Sequence, residues 1–213
     1  VAMPVPVLAR EQPGQRLLQI RLRATARLHQ RHAGRRVREE HMDQAVAARG
    51  ARERTDPVGD VGPNHYVEMI NLVYAVYDKQ GNLVSGPNVL GDLWQGYAIP
   101  DCEDNSGDPI VVYDQLEDRW ILSQFTTRGP VYYDCVAVSV TGDPTGAYYR
   151  YAFITQADPE LPGGTFFPDY PKYGVWTHSY VMTTRDFGDL TGYGISIYAL
   201  EKRKMIAGNP NAR

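Results

Sequence analysis

The chain has 213 residues, a net charge of −3, 43% hydrophobic residues and two cysteines. That length supports one sizeable core, or one domain with a tail. No run of about eighteen apolar residues occurs, which excludes a helix spanning a membrane.

Charge is unevenly distributed. Residues 1–60 hold twelve Arg, no Lys, seven acidic residues and no aromatic residue, about +5 in all. Residues 61–213 hold the other ten basic and eighteen acidic residues, about −8, with all fifteen Tyr, three Trp and five Phe. Two segments are therefore predicted, 1–60 and 61–213.

The opening VAMPVPVLAREQPGQ has neither the basic start nor the long apolar stretch of a signal peptide. Leu17, Leu18, Ile20, Leu22 and Ala24 do not hold a 3.6-residue period. From Arg27 to Thr55 large apolar residues nearly vanish. A stretch that buries so little cannot offset its chain entropy, so residues 1–60 are predicted to be disordered or weakly helical. Arg without Lys, among Ala, Gly and Val, is also what GC-rich DNA yields when read outside its true frame, so a non-native origin is an alternative for this segment. Interleaved acidic residues and the lack of stacking aromatics argue against a nucleic-acid partner. His29, His32 and His41 have no cysteine nearby and no HExxH context, and read as solvated.

From His65 the texture changes to short runs rich in Tyr, Val, Ile and Thr between Gly, Pro, Asp and Asn clusters, which predicts strands and turns. The predicted strands are 65–71, 72–78, 109–114, 120–126, 132–140, 147–154, 172–176, 180–185 and 193–200, with GNLVSGPNVL returning on the outside of the first pair. LEKRKMIAG (200–208) is the one short helix candidate. GDPIVVYDQLEDRWILSQF and FPDYPKYGVWTHSYVMTTRDF overlay at a period near sixty: Pro109 on Pro171, Trp120 on Tyr180, Cys135 on Ile195. Four strands at that period make one long propeller blade. The predicted fold is all-β: an incomplete β-propeller of about two to three four-stranded antiparallel blades. One blade is expected to be full, most of a second present, and residues 65–90 to be the later strands of a preceding one. Open strand edges and uncovered blade faces predict partners: further blades of a longer chain, or self-association.

VGPNHYVEMINLVYAVYDKQGNLV, GDPIVVYDQLEDRWILSQF, YYDCVAVSVTGDPTGAYYRYAF and DYPKYGVW, taken in order, resemble a family of large, mostly uncharacterised secreted bacterial β-propeller proteins. These are distantly similar to sialidase-type (BNR) propellers. The resemblance covers about residues 61–208 and implies a secreted or cell-surface protein. It also implies a Cys102–Cys135 disulfide, which would close a 33-residue loop and clamp DCEDNSGD onto the sheet. Two unpaired buried thiols are the alternative.

Asp101, Asp104, Asn105 and Asp108, with Glu103 among them, are dense enough in oxygen to suggest calcium, though the spacing is not that of an EF-hand. Asp108 and Asp169 open equivalent strands, and the innermost strand of a blade lines the central channel. Asp108, Tyr113, Asp169, Tyr170 and Lys172 are therefore the candidate ligand-binding set, against the plainer reading of each Asp as a turn cap. No G-x-S-x-G, P-loop or HExxH motif occurs. Arg119, Arg128, Arg150 and Arg185 are not placed to converge on a carboxylate as a sialidase-like site requires. The expected function is recognition or scaffolding with a glycan or protein ligand. The alternative is a sialidase-like glycoside hydrolase whose site needs further blades.

Overall fold

The computed structural model describes residues 57–155, 166–188 and 192–213. The expectations for residues 1–56, including disorder and solvated histidines, lie outside the described residues. Eleven described strands form three antiparallel sheets. Sheet 1 comprises β1 (Val58–Val61), β2 (His65–Ile70), β3 (Val73–Asp78) and β4 (Leu83–Val89). Sheet 2 comprises β5 (Ile110–Asp114), β6 (Arg119–Phe125), β7 (Tyr133–Ser139) and β8 (Tyr148–Ile154). Sheet 3 comprises β9 (Phe166–Val175), β10 (Tyr180–Gly188) and β11 (Gly192–Leu200), and a short helix α1 (Lys202–Ile206) follows. Within each sheet, strands neighbour one another in chain order, as a meander.

The repeat is present at the level of register. Asp114 pairs with Arg119 in sheet 2 and Val175 with Tyr180 in sheet 3, so the hairpin recurs 61 residues on (114 to 175, 119 to 180). This sets Tyr180 at the hairpin place of Arg119, one residue from the predicted overlay on Trp120. A register shift between Thr183 and Arg185 follows in sheet 3. Gln124 faces Cys135 as Arg185 faces Ile195, so the third strands correspond as well. Sheet 1 differs from the expectation. It is a complete four-stranded meander whose first strand, VGDV, crosses the predicted boundary at residue 61. Only four residues long and without alternation, that strand carries no period-2 signal. Its Gly59 leaves room for the Tyr66 ring, which a Cβ would strike. Two sheets are thus complete, and the third holds three described strands.

Alternation along the strands gives each sheet two faces. Val67, Met69 and Val76 of sheet 1 meet Val111, Tyr113, Trp120, Leu122 and Ala137 of sheet 2. Ile121, Val136, Val138, Tyr151 and Phe153 of sheet 2 meet Tyr180 and Leu200 of sheet 3 and Met205 of α1. Sheet 1 has a second apolar cluster on its opposite face: Ile70, Val73, Ala75 and Tyr77. Each such fully buried side chain contributes about 1.5–3 kcal/mol. The first strands contact one another in a row, β1 against β5 and β5 against β9. That row is the placement of inner strands in consecutive propeller blades.

The link between sheets 1 and 2 is part of the core. Two 3-10 turns, Leu90–Trp94 and Pro100–Glu103, bury Leu90, Trp94 and Cys102 between the sheets. Cys102 is disulfide-bonded to Cys135 on β7, with Cα atoms 5.8 Å apart. Beside it, the Gln124 amide donates to the Cys102 carbonyl at 2.6 Å. The bond closes a 33-residue loop, which stabilises by about 3–4 kcal/mol on the chain-entropy account. The Cys102→Ser/Cys135→Ser double variant should lose about that amount in urea unfolding. A loss below about 1 kcal/mol would show that the apolar turn holds itself in place.

Candidate functional site

The row of first strands opens at one end into a cleft of about 340 Å³, lined by Pro57, Val58, Asp108 to Val112, Tyr170, Lys172 and Tyr173. It draws on the lead-in to β1, the start of β5 and the middle of β9. Three of the five predicted ligand-binding residues meet here: Asp108, Tyr170 and Lys172. Tyr170 is 51% exposed, and the Lys172 ammonium lies 3.4 Å from its ring centroid. The same ammonium donates to the Pro171 carbonyl at 3.1 Å.

Asp108 and Tyr170 share an uncommon backbone state, with φ of 49° and 52°. Each directly precedes a buried proline, Pro109 or Pro171. A left-handed conformation costs a non-glycine residue about 1–2 kcal/mol, and a following proline favours extended backbone instead. The same strained step occurs at the same place in two repeats, and both instances face one cleft. Such strain persists only where surrounding packing over-determines it.

The other two predicted residues lie elsewhere. Tyr113 is buried at the far end of β5. Its ring packs on Trp120 at 5.0 Å, its hydroxyl donates to Asp118 Oδ1 at 2.6 Å, and its amide donates to Asp60 Oδ2 at 2.7 Å. Asp169 sits in β9 opposite Arg185 and is not among the cleft-lining residues. The predicted calcium ligands are not drawn together. Asp104 pairs with Arg128, Asn105 Oδ1 accepts the Gly91 amide at 3.2 Å, and Asp108 lines the cleft. Among the described residues, no three His, Cys, Asp or Glu side chains converge as a metal site.

Sequence reasoning missed the polar groups behind the cleft. Tyr173, a cleft wall residue, donates its hydroxyl to Asp134 Oδ2 at 2.8 Å. Asp134 is buried on β7 between sheets 2 and 3. Burial pushes its carboxyl up to about 8, against the opposing pull of the Tyr173 hydrogen bond. Burial and the adjacent carboxyl also raise Tyr173. Asp186 follows on β10, accepting from Thr184 at 2.7 Å and from Ser196, and burial raises it too. Tyr198, pushed up to about 12 chiefly by burial, donates to the Thr155 carbonyl at 2.8 Å. Nothing in the sequence marks these residues, because the network exists only once two sheets face each other.

A second buried group joins sheet 2 to the C-terminal helix. Lys202 Nζ lies 2.7 Å from Asp114 Oδ2, with neither side chain exposed. The Tyr180 hydroxyl donates to the same oxygen at 2.9 Å, and Asp114 Oδ1 accepts the Leu116 amide at 3.0 Å. Lys202 also donates to the Trp176 carbonyl at 3.2 Å. The pair fixes where the chain goes after sheet 3.

Two measurements check these assignments. The folded-state pKa of Asp134 lies above that of the unfolded chain, about 4, so the folded protein holds this proton more tightly. Its stabilising contribution is full below about pH 4 and is lost as pH rises to about 8. Urea unfolding of Asp134→Asn should therefore fall less between pH 5 and pH 8 than that of the parent; an identical slope would refute the assignment. Lys202→Met leaves Asp114 buried without its cation and should cost about 3–5 kcal/mol. The Asp114→Leu/Lys202→Met pair should recover most of that loss, and no recovery would mean that packing of the lysine stem carries the effect.

Comparison with protein-family models, curated proteins and solved structures finds no match to this chain.

Proposed function

We propose that this chain is a secreted or cell-surface recognition module whose first-strand cleft binds a saccharide unit of a glycan. The observation that carries this reading is the paired backbone strain of Asp108 and Tyr170 at one cleft. Strain held at equivalent places in two repeats points to selection for side-chain placement. The volume, about 340 Å³, falls at the small end of ligand pockets, roughly 300–1,000 Å³. That size suits a sugar ring better than a flat protein epitope. Tyr170 supplies an exposed aromatic body with a polar tip, and Lys172 and Asp108 supply a donor and an acceptor. The Cys102–Cys135 bond fits an oxidising compartment.

A second reading, glycoside hydrolysis, draws on one feature. Tyr173 is a cleft tyrosine hydrogen-bonded to a carboxyl, the pairing a tyrosine nucleophile uses in sialidase-type chemistry. The arginines such chemistry needs point to other duties. Arg128 pairs with Asp104, Arg150 donates to the Gln95 carbonyl, Arg185 stacks on Phe187, and Arg119 folds onto its own hairpin. Recognition is accordingly placed first.

A glycan array with a panel of chromogenic glycosides separates the two. Binding without turnover is expected; turnover abolished in Tyr173→Phe would establish the second reading instead. Tyr170→Gly and Asp108→Gly relieve the left-handed backbone. Tyr170→Gly should fold at least as stably as the parent, and each variant should weaken glycan binding tenfold or more, about 1.4 kcal/mol. Unchanged affinity in both would remove the cleft from consideration.

A further inference from the structure

We propose that β11 is an interface through which two copies of this chain pair, antiparallel, into one continuous six-stranded sheet. In sheets 1 and 2 the third strand is covered by a fourth, β4 or β8. Among the described residues, no strand pairs with the outer edge of β11. Residues 201–213, which follow β11, do not turn back to fill that place. The chain enters α1, where Lys202 is locked to Asp114, Met205 is buried, and Glu201 bonds the Arg213 backbone.

The edge strands of this protein differ in how they repel additional strands. β4 contains Pro87, and its pairing with β3 shifts register twice. β8 carries the exposed Arg150. β11, GYGISIYAL, has nine residues with no charge and no proline. Charged residues, proline and irregularity are the devices that blunt free edges, and β11 has none of the three. At about 3.4 Å per residue it offers an edge roughly 30 Å long.

A second copy suits this edge because the strand is self-complementary. Antiparallel pairing about a two-fold axis at the central Ser196 places all nine residues in register, Gly192 opposite Leu200 of the other copy. Ile195, 72% exposed, then faces Ile197 of the other copy on the sheet face that also carries Phe187. β-branched cross-strand pairs of this kind each contribute roughly 0.2–1 kcal/mol. No like charges on β11 oppose the arrangement.

Sedimentation velocity of the whole chain between about 1 and 100 µM tests this. A monomer–dimer equilibrium is expected. Ile195→Lys, at an exposed position, should weaken dimerisation at least tenfold with an unchanged near-ultraviolet circular dichroism spectrum. Hydrogen exchange at β11 amides should slow as protein concentration rises, and at β4 and β8 amides it should not. A monomer throughout the range would overturn the proposal. So would a dimer insensitive to Ile195→Lys, or β11 exchange independent of concentration.

Discussion

A sheet that is apolar on both faces cannot stand alone in water, and that constraint organises this molecule. Val67 and Met69 project from one side of β2, and Ile70 from the other. Sheet 2 is likewise used on both sides, with Leu122 toward sheet 1 and Ile121 toward sheet 3. The solution is repetition: sheet 1 covers one face of sheet 2, and sheet 3 covers the other. Stacking meanders in this way sets first strand beside first strand. The same stacking leaves a cleft between the lead-in to β1, the start of β5 and the middle of β9.

Polar groups at the sheet contacts refine that packing. The Asp114–Lys202–Tyr180 group and the Asp134–Tyr173 pair are both buried where sheet 3 meets sheet 2. Buried charge adds little net stability over a well-packed apolar substitute. What it does here is direct the chain, since Lys202 reaches Asp114 only if α1 folds back over sheet 2. Tyr173 has two faces to its role, standing in the cleft wall and holding a buried carboxyl. The cleft wall is therefore one residue removed from the contact between sheets.

The strands after residue 65 were legible because β-branched and aromatic runs between turn residues carry a local signal. The sixty-residue overlay was legible because register is copied with the repeat: Gln124 with Cys135, Arg185 with Ile195. β1 was missed because four residues containing a glycine show no alternation. That Asp108, Tyr170 and Lys172 come together at one cleft could be read from strand position alone, since inner strands of a repeat converge. Tyr113 was misplaced because it lies at the opposite end of its strand, where Trp120 and Asp118 hold it. The Asp134 and Asp186 network, and Lys202 against Asp114, depend on which sheet faces which. That is long-range information, and no local pattern contains it.

The most direct test of this account is a set of nuclear Overhauser contacts between first strands in solution. Cross-sheet contacts should link β1 to β5 and β5 to β9, with further contacts from the Tyr180 ring to the α1 side chains. Contacts joining outer strands instead, or three sheets without mutual contacts, would contradict the stacked repeat and the cleft built from it.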